Sequence, residues 1–273
     1  RVAHVRPGDP VYGMALGCIA SIVRTDARVQ VRMPSSITFE EASTVPILWC
    51  TVRLALAECM QLRGRHAILI HATTGGVGLM ALEFSRRVGA IVTASVGRPS
   101  KVALLRALGV QSISSSRNAA SFLRGAASCQ SGRRLTAALS ALTRGFIPAS
   151  AALLNDAGQY LEVGKNRIWS EPRVAASSAS SRLCLVATDY QTPEWTMIRL
   201  CELTARTNAG EVHPLPLTAF RFETSEMVSA FNLLRRADHV GRFVALIATG
   251  LPPAATGTST TPSPAADILS TGL

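Results

Sequence analysis

The residues His66–Lys101, HAILIHATTGGVGLMALEFSRRVGAIVTASVGRPSK, decide the fold of this chain. The apolar run 67–70 predicts a short buried strand, because it is uniformly apolar and partly β-branched. After the glycines that follow it, Met80, Phe84 and Val88 recur at every fourth position, as on one face of a helix. A second apolar run, 90–96, comes at the distance at which a βαβ unit returns to its sheet. The stretch therefore predicts strand, glycine turn, helix and strand.

The glycine turn of this unit indicates a dinucleotide site. Glycines let the backbone approach a pyrophosphate closely, and the N-terminus of the next helix offers free N–H groups and a favourable dipole. We predict that the turn contributes five residues to this site: Thr74, Gly75, Gly76, Val77 and Gly78. A Gly-Gly-x-Gly sequence also occurs in turns that bind nothing, so the glycines alone leave that alternative open.

The residues after the second strand favour NADPH over NADH. An NAD site places a carboxylate there to bond the ribose 2′-hydroxyl, whereas this chain has Ser95, Arg98 and Lys101. No acidic residue lies between Glu83 and Asp156, an interval with nine arginines and one lysine. A 2′-phosphate carries a charge of about −1.5 to −2 at neutral pH. The sequence therefore predicts NADPH as the cofactor.

Length and composition exclude several other classes of protein. With 273 residues, 48% of them hydrophobic, the chain buries a full core and forms one large domain or two modest ones. Its six cysteines form no C-x-x-C pair, which indicates a reducing, cytoplasmic compartment and no structural metal. No apolar run reaches the roughly 18 residues of a membrane span, and the first residues lack a signal-peptide core. We therefore expect no membrane partner.

The net charge of +11 raises nucleic acid as a partner. The arginines, however, are scattered among apolar segments, aromatic residues make up only 5% of the chain, and no known nucleic-acid-binding pattern occurs. We expect no nucleic-acid partner; an anionic cofactor, an acidic protein partner or a plain bias towards arginine explains the charge. Only Lys101 and Lys165 of the 28 basic residues are lysines, and lysine gives up a proton more readily than arginine.

Strands alternating with helices predict an α/β fold with a doubly wound parallel Rossmann sheet. Turn-linked short strands in 1–38 predict part of a β-rich substrate domain, truncated at its N-terminus, and Thr38 and Glu41 predict a capping box before the first helix. We assign 39–208 to the nucleotide-binding domain, 209–250 to the substrate domain, and 251–273, rich in Pro, Ser, Thr and Ala, to a linker. The predicted helices are 39–45, 51–61, 99–108, 149–154 and 193–208, besides the helix after the glycine turn. The remaining predicted strands are 111–115, 135–142, 159–163 and 183–188, and 213–249 is predicted as strand, helix and strand, with Met227, Phe231 and Leu234 as the helix core.

Several motifs together resemble one family. The segments GDPVYGMALG, VPILWCT, HATTGGVG, LLRALGV, SSSR, LNDAGQYLEVGK and HVGRFV, between about residue 7 and residue 247, are similar to the enoyl-reductase domains of modular polyketide synthases and of animal-type fatty acid synthase. Those domains belong to the zinc-independent, quinone-oxidoreductase-like branch of the medium-chain dehydrogenases and reductases. HATTGGVG alone fits any quinone reductase, and the combination with SSSR, EVGK and HVGRFV is more specific.

The resemblance implies a Rossmann domain with a GroES-like substrate domain, and reduction by NADPH of a trans-2-enoyl thioester carried on an acyl carrier protein beside neighbouring synthase domains. It assigns the glycines of the turn to the pyrophosphate, Lys101 and Arg117 to the 2′-phosphate, and Thr51 to the nicotinamide and its ribose. It assigns Lys165 and Asp189 as two proton donors. One departure is Ser140, which stands where the family usually has an asparagine. A free-standing quinone or ene reductase, and an inactive structural domain, remain alternatives.

Overall fold

The chain folds into two units, one of them discontinuous in sequence. The computed structural model describes residues 2–129, 133–165, 168–177 and 181–247, so the predicted linker 251–273 lies outside the described residues. One unit runs from Leu48 to Tyr190, and the other combines the residues up to Ile47 with those from Gln191 onward. Residues 39–47 and 191–208, which the sequence analysis assigned to the nucleotide-binding domain, lie in the discontinuous unit.

The described residues form short strands and helices throughout. The strands are β1 Val11–Gly13, β2 Gln30–Arg32, β3 Ala67–Ile70, β4 Ile91–Val96, β5 Ser112–Ser115, β6 Leu135–Ser140, β7 Leu154–Glu162, β8 Arg182–Leu185, β9 Leu217–Arg221 and β10 Arg242–Leu246. The α-helices are α1 Phe39–Thr44, α2 Pro46–Val52, α3 Gly76–Arg87, α4 Pro99–Ala107, α5 Ala119–Cys129, α6 Phe146–Ala151, α7 Glu171–Ser177, α8 Pro193–Asn208 and α9 Thr224–Arg236. A π-helical segment, Arg53–Cys59, directly follows α2.

A six-stranded sheet forms the centre of the unit Leu48–Tyr190. Its strand order is β5-β4-β3-β6-β7-β8, and every neighbouring pair is parallel. All four residues of β3 are buried, as expected for a central strand with both faces covered. The order of the strands reverses between β3 and β6, and open α/β sheets bind ligands beyond the carboxyl ends of the strands at such a point. The predicted doubly wound sheet is confirmed.

Side chains from helices on this sheet close its core. Phe122 of α5 and Ile147 of α6 are fully buried together with Leu135 and Leu154 of the sheet. The sequence analysis missed α5 and α7. It also placed a helix at 149–154 with the wrong bounds. Helix α6 runs from Phe146 to Ala151, because Phe146 and Ile147 pack into this core, and Leu154 already belongs to β7.

Two further element boundaries differ from the prediction. The second helix, predicted to begin at residue 51, begins at Pro46 instead, since a proline at the first helical position costs no hydrogen bond. The strand predicted to run to Thr188 ends at Leu185, and residues Thr188–Tyr190 form a turn of 3₁₀-helix that contains Asp189.

The discontinuous unit contains two small pairs of strands. β1 pairs antiparallel with β2, and β9 pairs parallel with β10. The predicted capping box is present: Glu41 N donates to Thr38 Oγ1 at 3.2 Å, and Thr38 N donates to Glu41 Oε2 at 2.8 Å. Tyr12 of β1 and Thr204 of α8 share a hydrogen bond of 3.0 Å between their hydroxyls.

The predicted core face of α9 is wrong at Phe231 and Leu234, whereas Met227 is half-buried. Phe231 and Leu234 are 62% and 43% exposed, and the buried residue of this helix is Ala230. The apolar residues of α9 repeat around more than one face, so their spacing alone did not fix which face packs against the strand pair.

Two findings concern membrane spans and metal sites. Within the described residues, one helical run, Phe39–Cys59, is apolar enough to qualify as a membrane span, with a mean hydropathy of 1.2, but 67% of that window is buried inside the protein, as in a core helix. Across the same part of the chain, no group of three or more His, Cys, Asp and Glu side chains is placed to hold a metal ion.

Candidate active site

The glycine turn lies between β3 and α3, at the carboxyl edge of the sheet. Gly75 stands before the helix in an extended conformation, and no side chain caps the first turn of α3. The N–H groups of Gly76, Val77 and Gly78 therefore have no acceptor within the helix. Three free donors at the positive end of a helix dipole form a site for an anionic group such as a pyrophosphate.

Gly78 allows α3 to pack directly on the end of β3. A Cβ atom at this position would lie 2.6 Å from the carbonyl oxygens of Ala72 and Thr73 and from Thr73 Cα. No side chain fits at such distances without moving the backbone. Close contact between helix and strand is the role of the third glycine in a dinucleotide-binding turn.

A buried hydrogen-bond network supports the turn from below. Thr73 N donates to Ser95 O at 3.1 Å, and Ser95 N donates to Thr73 Oγ1 at 3.2 Å. The hydroxyl of Ser95 bonds to Nδ1 of His71 at 2.8 Å, and His71 Nε2 bonds to the hydroxyl of Ser150 at 2.7 Å. Ser95, predicted to contact the cofactor, is fully buried in this network, and the neighbouring Thr74 is 2% exposed.

His71 is the part of this network that sequence reasoning missed. Its ring packs against Phe122 and Phe146, with ring centroids 5.0 and 5.9 Å away. Burial lowers the pKa of His71 to about 3, so the ring is neutral at physiological pH and bridges the two serines. The signal in the sequence was a histidine directly after the apolar strand, ahead of the glycine turn.

Three basic residues gather beyond β4 and β5. Arg98 stands at the N-cap position of α4, Lys101 lies in the first turn of that helix, and the Lys101 N–H donates to Arg98 O at 3.1 Å. Arg117 follows β5, and its Nε donates to the carbonyl of Gly97 at 2.7 Å. The structure thus brings Arg117 to the loop of Arg98 and Lys101, because β4 and β5 are neighbouring parallel strands.

The two predicted proton donors meet at the other half of the same edge. Lys165 follows β7, Asp189 follows β8, and their side chains form an ion pair. Both side chains are more than half exposed, so the pair contributes little to stability, about 0–1 kcal/mol. Its consequence is orientation, since the carboxylate holds the ammonium group at the edge. Thr51, the remaining predicted site residue, lies half-buried in α2.

Glu162 is a second residue that sequence reasoning missed. It ends β7 opposite Ser140 of β6, is 5% exposed, and its Oε1 accepts a hydrogen bond of 2.6 Å from Gly164 N. Burial raises the pKa of Glu162 to about 7, although the bond from Gly164 acts in the opposite direction. Carboxyl groups with such shifted pKa values are concentrated at functional sites. The signal was an acidic residue at the end of an apolar strand.

Comparison with known proteins gives this edge its context. No family model matches the chain. The chain is 32% identical over 259 residues to the pikromycin polyketide synthase component PikAII of Streptomyces venezuelae. The matched segment covers 93% of this chain and 7% of that protein. It is also similar to the crystal structure of CurK enoyl reductase, with 29% identity and a TM-score of 0.83 over 90% of this chain and 74% of that one.

The chain is a homologue of polyketide-synthase enoyl-reductase domains. The predicted resemblance is thereby confirmed. Enoyl-reductase domains of this kind are oxidoreductases. Quinone oxidoreductase of Escherichia coli, solved in complex with NADPH, matches with a TM-score of 0.79 over 90% of this chain and 77% of that one; at 19% identity it shows the shared fold alone. Because this enoyl-reductase homologue spans only a small part of the synthases it matches, their full activities do not carry over to it directly.

Proposed function

We propose that this domain binds NADPH and reduces the α,β double bond of an enoyl thioester carried on an acyl carrier protein, as part of a cytoplasmic multidomain synthase. One observation carries the proposal. The uncapped glycine turn, the three basic residues and the Lys165–Asp189 pair all lie at the carboxyl edge of one parallel sheet.

The residues present fit NADPH. The free N–H groups at the start of α3 would hold the pyrophosphate, and Arg98, Lys101 and Arg117 would hold the 2′-phosphate. Thr51 would lie beside the nicotinamide, as the family resemblance implies. When bound, NADPH supplies the hydride that goes to the β-carbon of the substrate.

Lys165 and Asp189 are the proposed source of the proton. An enoyl thioester that has gained a hydride at its β-carbon needs a proton at its α-carbon, and a positioned acid of this kind contributes roughly 10²–10⁴-fold. The ammonium group of Lys165 would hold this proton, and the carboxylate of Asp189 would keep the ammonium in place. Asp189 is exposed, so it would also pass a proton from water to the lysine.

The test follows NADPH oxidation with two substrates, an enoyl thioester on carrier protein and a free quinone. We expect turnover of the thioester, which Lys165→Ala and Asp189→Asn each reduce while the Kd for NADPH stays within about twofold of the unmutated chain. Because the two residues act as a pair, the double variant should lose less than the product of the single losses. Arg206→Ala, which breaks ion pairs with Glu202 and Glu211 in the other unit, is the control.

Each alternative has its own result. Turnover of the quinone but not of the thioester would indicate a free-standing quinone reductase. NADPH binding without turnover of either substrate would indicate a structural domain. Unchanged turnover in both single variants would mean that water or another residue donates the proton, while the reductase activity itself would stand.

A further inference from the structure

We infer that Glu162 is a positioning residue for Lys165: its carboxyl group fixes the turn Val163–Gly164–Lys165 through the backbone N–H of Gly164. The inference rests on the proposed role of Lys165 as proton donor. It adds to that proposal the group that determines where the lysine stands.

Hydrogen bonds to the neighbouring strands fix the backbone up to the end of β7. Val186 N donates to Glu162 O at 2.8 Å, and Val163 N donates to Ser140 O at 2.8 Å, so both neighbouring strands fix the end of β7. Beyond Val163 the chain leaves the sheet. The bond of 2.6 Å between Glu162 Oε1 and Gly164 N closes the next two residues into a turn, one residue before Lys165.

Gly164 is fitted to this carboxyl group. A Cβ atom on Gly164 would lie 2.7 Å from Glu162 Oε1 and 3.4 Å from Cα of Ala141, the residue that follows β6. A side chain at position 164 would therefore push the carboxyl group out of its place. The absence of a side chain at 164 and the hydrogen bond to its N–H are two separate features that serve the same contact.

The side chain of Lys165 itself depends on the turn for its starting point. It is 66% exposed, and the described contact at its end is the ion pair with Asp189, whose side chain is 53% exposed. Two exposed side chains hold each other weakly in water. The backbone from which Lys165 projects, in contrast, is held by a hydrogen bond to the buried side chain of Glu162, which is the stronger constraint on its position.

The protonation state of Glu162 does not abolish this contact. Burial raises the pKa of Glu162 to about 7, so both forms are present near neutral pH. A carboxylate oxygen and the carbonyl oxygen of a neutral carboxyl group both accept an N–H donor. Glutamine offers the same acceptor in nearly the same shape, and it is therefore the conservative replacement.

The first experiment compares Glu162→Ala, Glu162→Gln and Gly164→Ala in the full chain, with NADPH and the enoyl thioester on carrier protein. We expect Glu162→Ala to lower kcat at least tenfold while the KM for the thioester and the Kd for NADPH stay within twofold. Gly164→Ala should lower kcat similarly, because it displaces the same carboxyl group. Glu162→Gln should be at least fivefold more active than Glu162→Ala. Glu171→Ala, which removes an exposed carboxylate at the start of α7, is the matched control and should leave kcat unchanged.

Two further measurements separate positioning from general support of the fold. The amide proton of Gly164 should exchange at least tenfold faster in Glu162→Ala than in the unmutated chain and in Glu162→Gln. In a Lys165→Ala background, Glu162→Ala should lower kcat by less than twofold, because the residue it positions is already gone.

Several outcomes would overturn the inference while leaving the proposed reductase activity intact. These are a kcat within twofold of the unmutated chain in Glu162→Ala, an equal loss with and without Lys165, or a loss that comes with a weaker Kd for NADPH. Absence of thioester reduction in the unmutated chain would overturn the proposed function and the inference with it.

Discussion

Replacing Gly78 with alanine should damage the cofactor site although it favours the helix. Alanine is preferred over glycine inside a helix by about 1 kcal/mol. The new Cβ atom, however, would meet three backbone atoms of Ala72 and Thr73 at 2.6 Å, and an ordinary contact of 3.4 Å requires a separation of 0.8 Å (3.4 minus 2.6) between α3 and the turn. Overpacking of this kind costs typically 1–3 kcal/mol, more than the helix gains. The N–H groups of the first turn of α3 move with the helix, so we expect NADPH binding to weaken at least tenfold, about 1.4 kcal/mol.

The assay combines a calorimetric titration with NADPH and a thermal melt. Gly125→Ala is the matched control, because Gly125 also lies within a helix and its Cβ would stand 3.6 Å from Ser114 Cβ, an ordinary contact. This control should keep the affinity for NADPH and melt at the same or a higher temperature. If Gly78→Ala binds NADPH as tightly as Gly125→Ala and has the same melting temperature, the packing of α3 on the turn does not determine the cofactor site.

Three other predictions follow from the same unit. NADPH should bind at least tenfold tighter than NADH, about 1.4 kcal/mol, and Arg117→Ala should remove most of that preference; equal affinity for both cofactors in the unmutated chain would contradict the assignment. The pKa of His71 is about 3 in the folded chain and about 6.5 in the unfolded chain, so the unfolded chain takes up a proton that the folded chain does not as the pH falls through 6.5. The free energy of unfolding should therefore decrease by about 2 kcal/mol between pH 7.5 and pH 5. Urea unfolding at the two pH values should show a smaller decrease in His71→Gln. The neighbouring thiol of Cys184 lowers the pKa of Cys59 below the usual value of a cysteine. Alkylation of Cys59 should therefore reach half its maximal rate at a lower pH than in Cys184→Ala, and an equal midpoint in both proteins would contradict this interaction.

Local patterns were sufficient for much of the fold. Helix α8 has the predicted bounds because Thr192 caps it and Pro193 begins it, and both signals lie within its own sequence. The βαβ unit around the glycine turn could also be predicted from the sequence, since the spacing of its apolar residues and the positions of its glycines indicate the same structure. The buried face of α9 could not be predicted in this way, because the burial of a helix depends on what packs against it rather than on the spacing of its own apolar residues.

The polar support of the site could not be predicted for the same physical reason. His71 is held by Ser95 and Ser150, which lie 24 and 79 residues further along the chain. Glu162 is shielded at the end of a strand whose two neighbours come from distant segments. A buried polar residue is acceptable only when distant groups satisfy it, so its role appears only in the folded chain.

The order of the groups along the sheet edge favours a dinucleotide over a small anion. The basic residues follow β4 and β5, the glycine turn follows β3, and the Lys165–Asp189 pair follows β7 and β8. At about 4.8 Å between neighbouring strands, the step from β4 to β7 across β3 and β6 is roughly 14 Å. A free phosphate would contact only one of these three groups, and the other two would have no ligand. NADPH carries a phosphate at one end, a pyrophosphate in the middle and its reacting ring at the other end, and the sheet presents its cations, its free N–H groups and the Lys165–Asp189 ion pair in the same order.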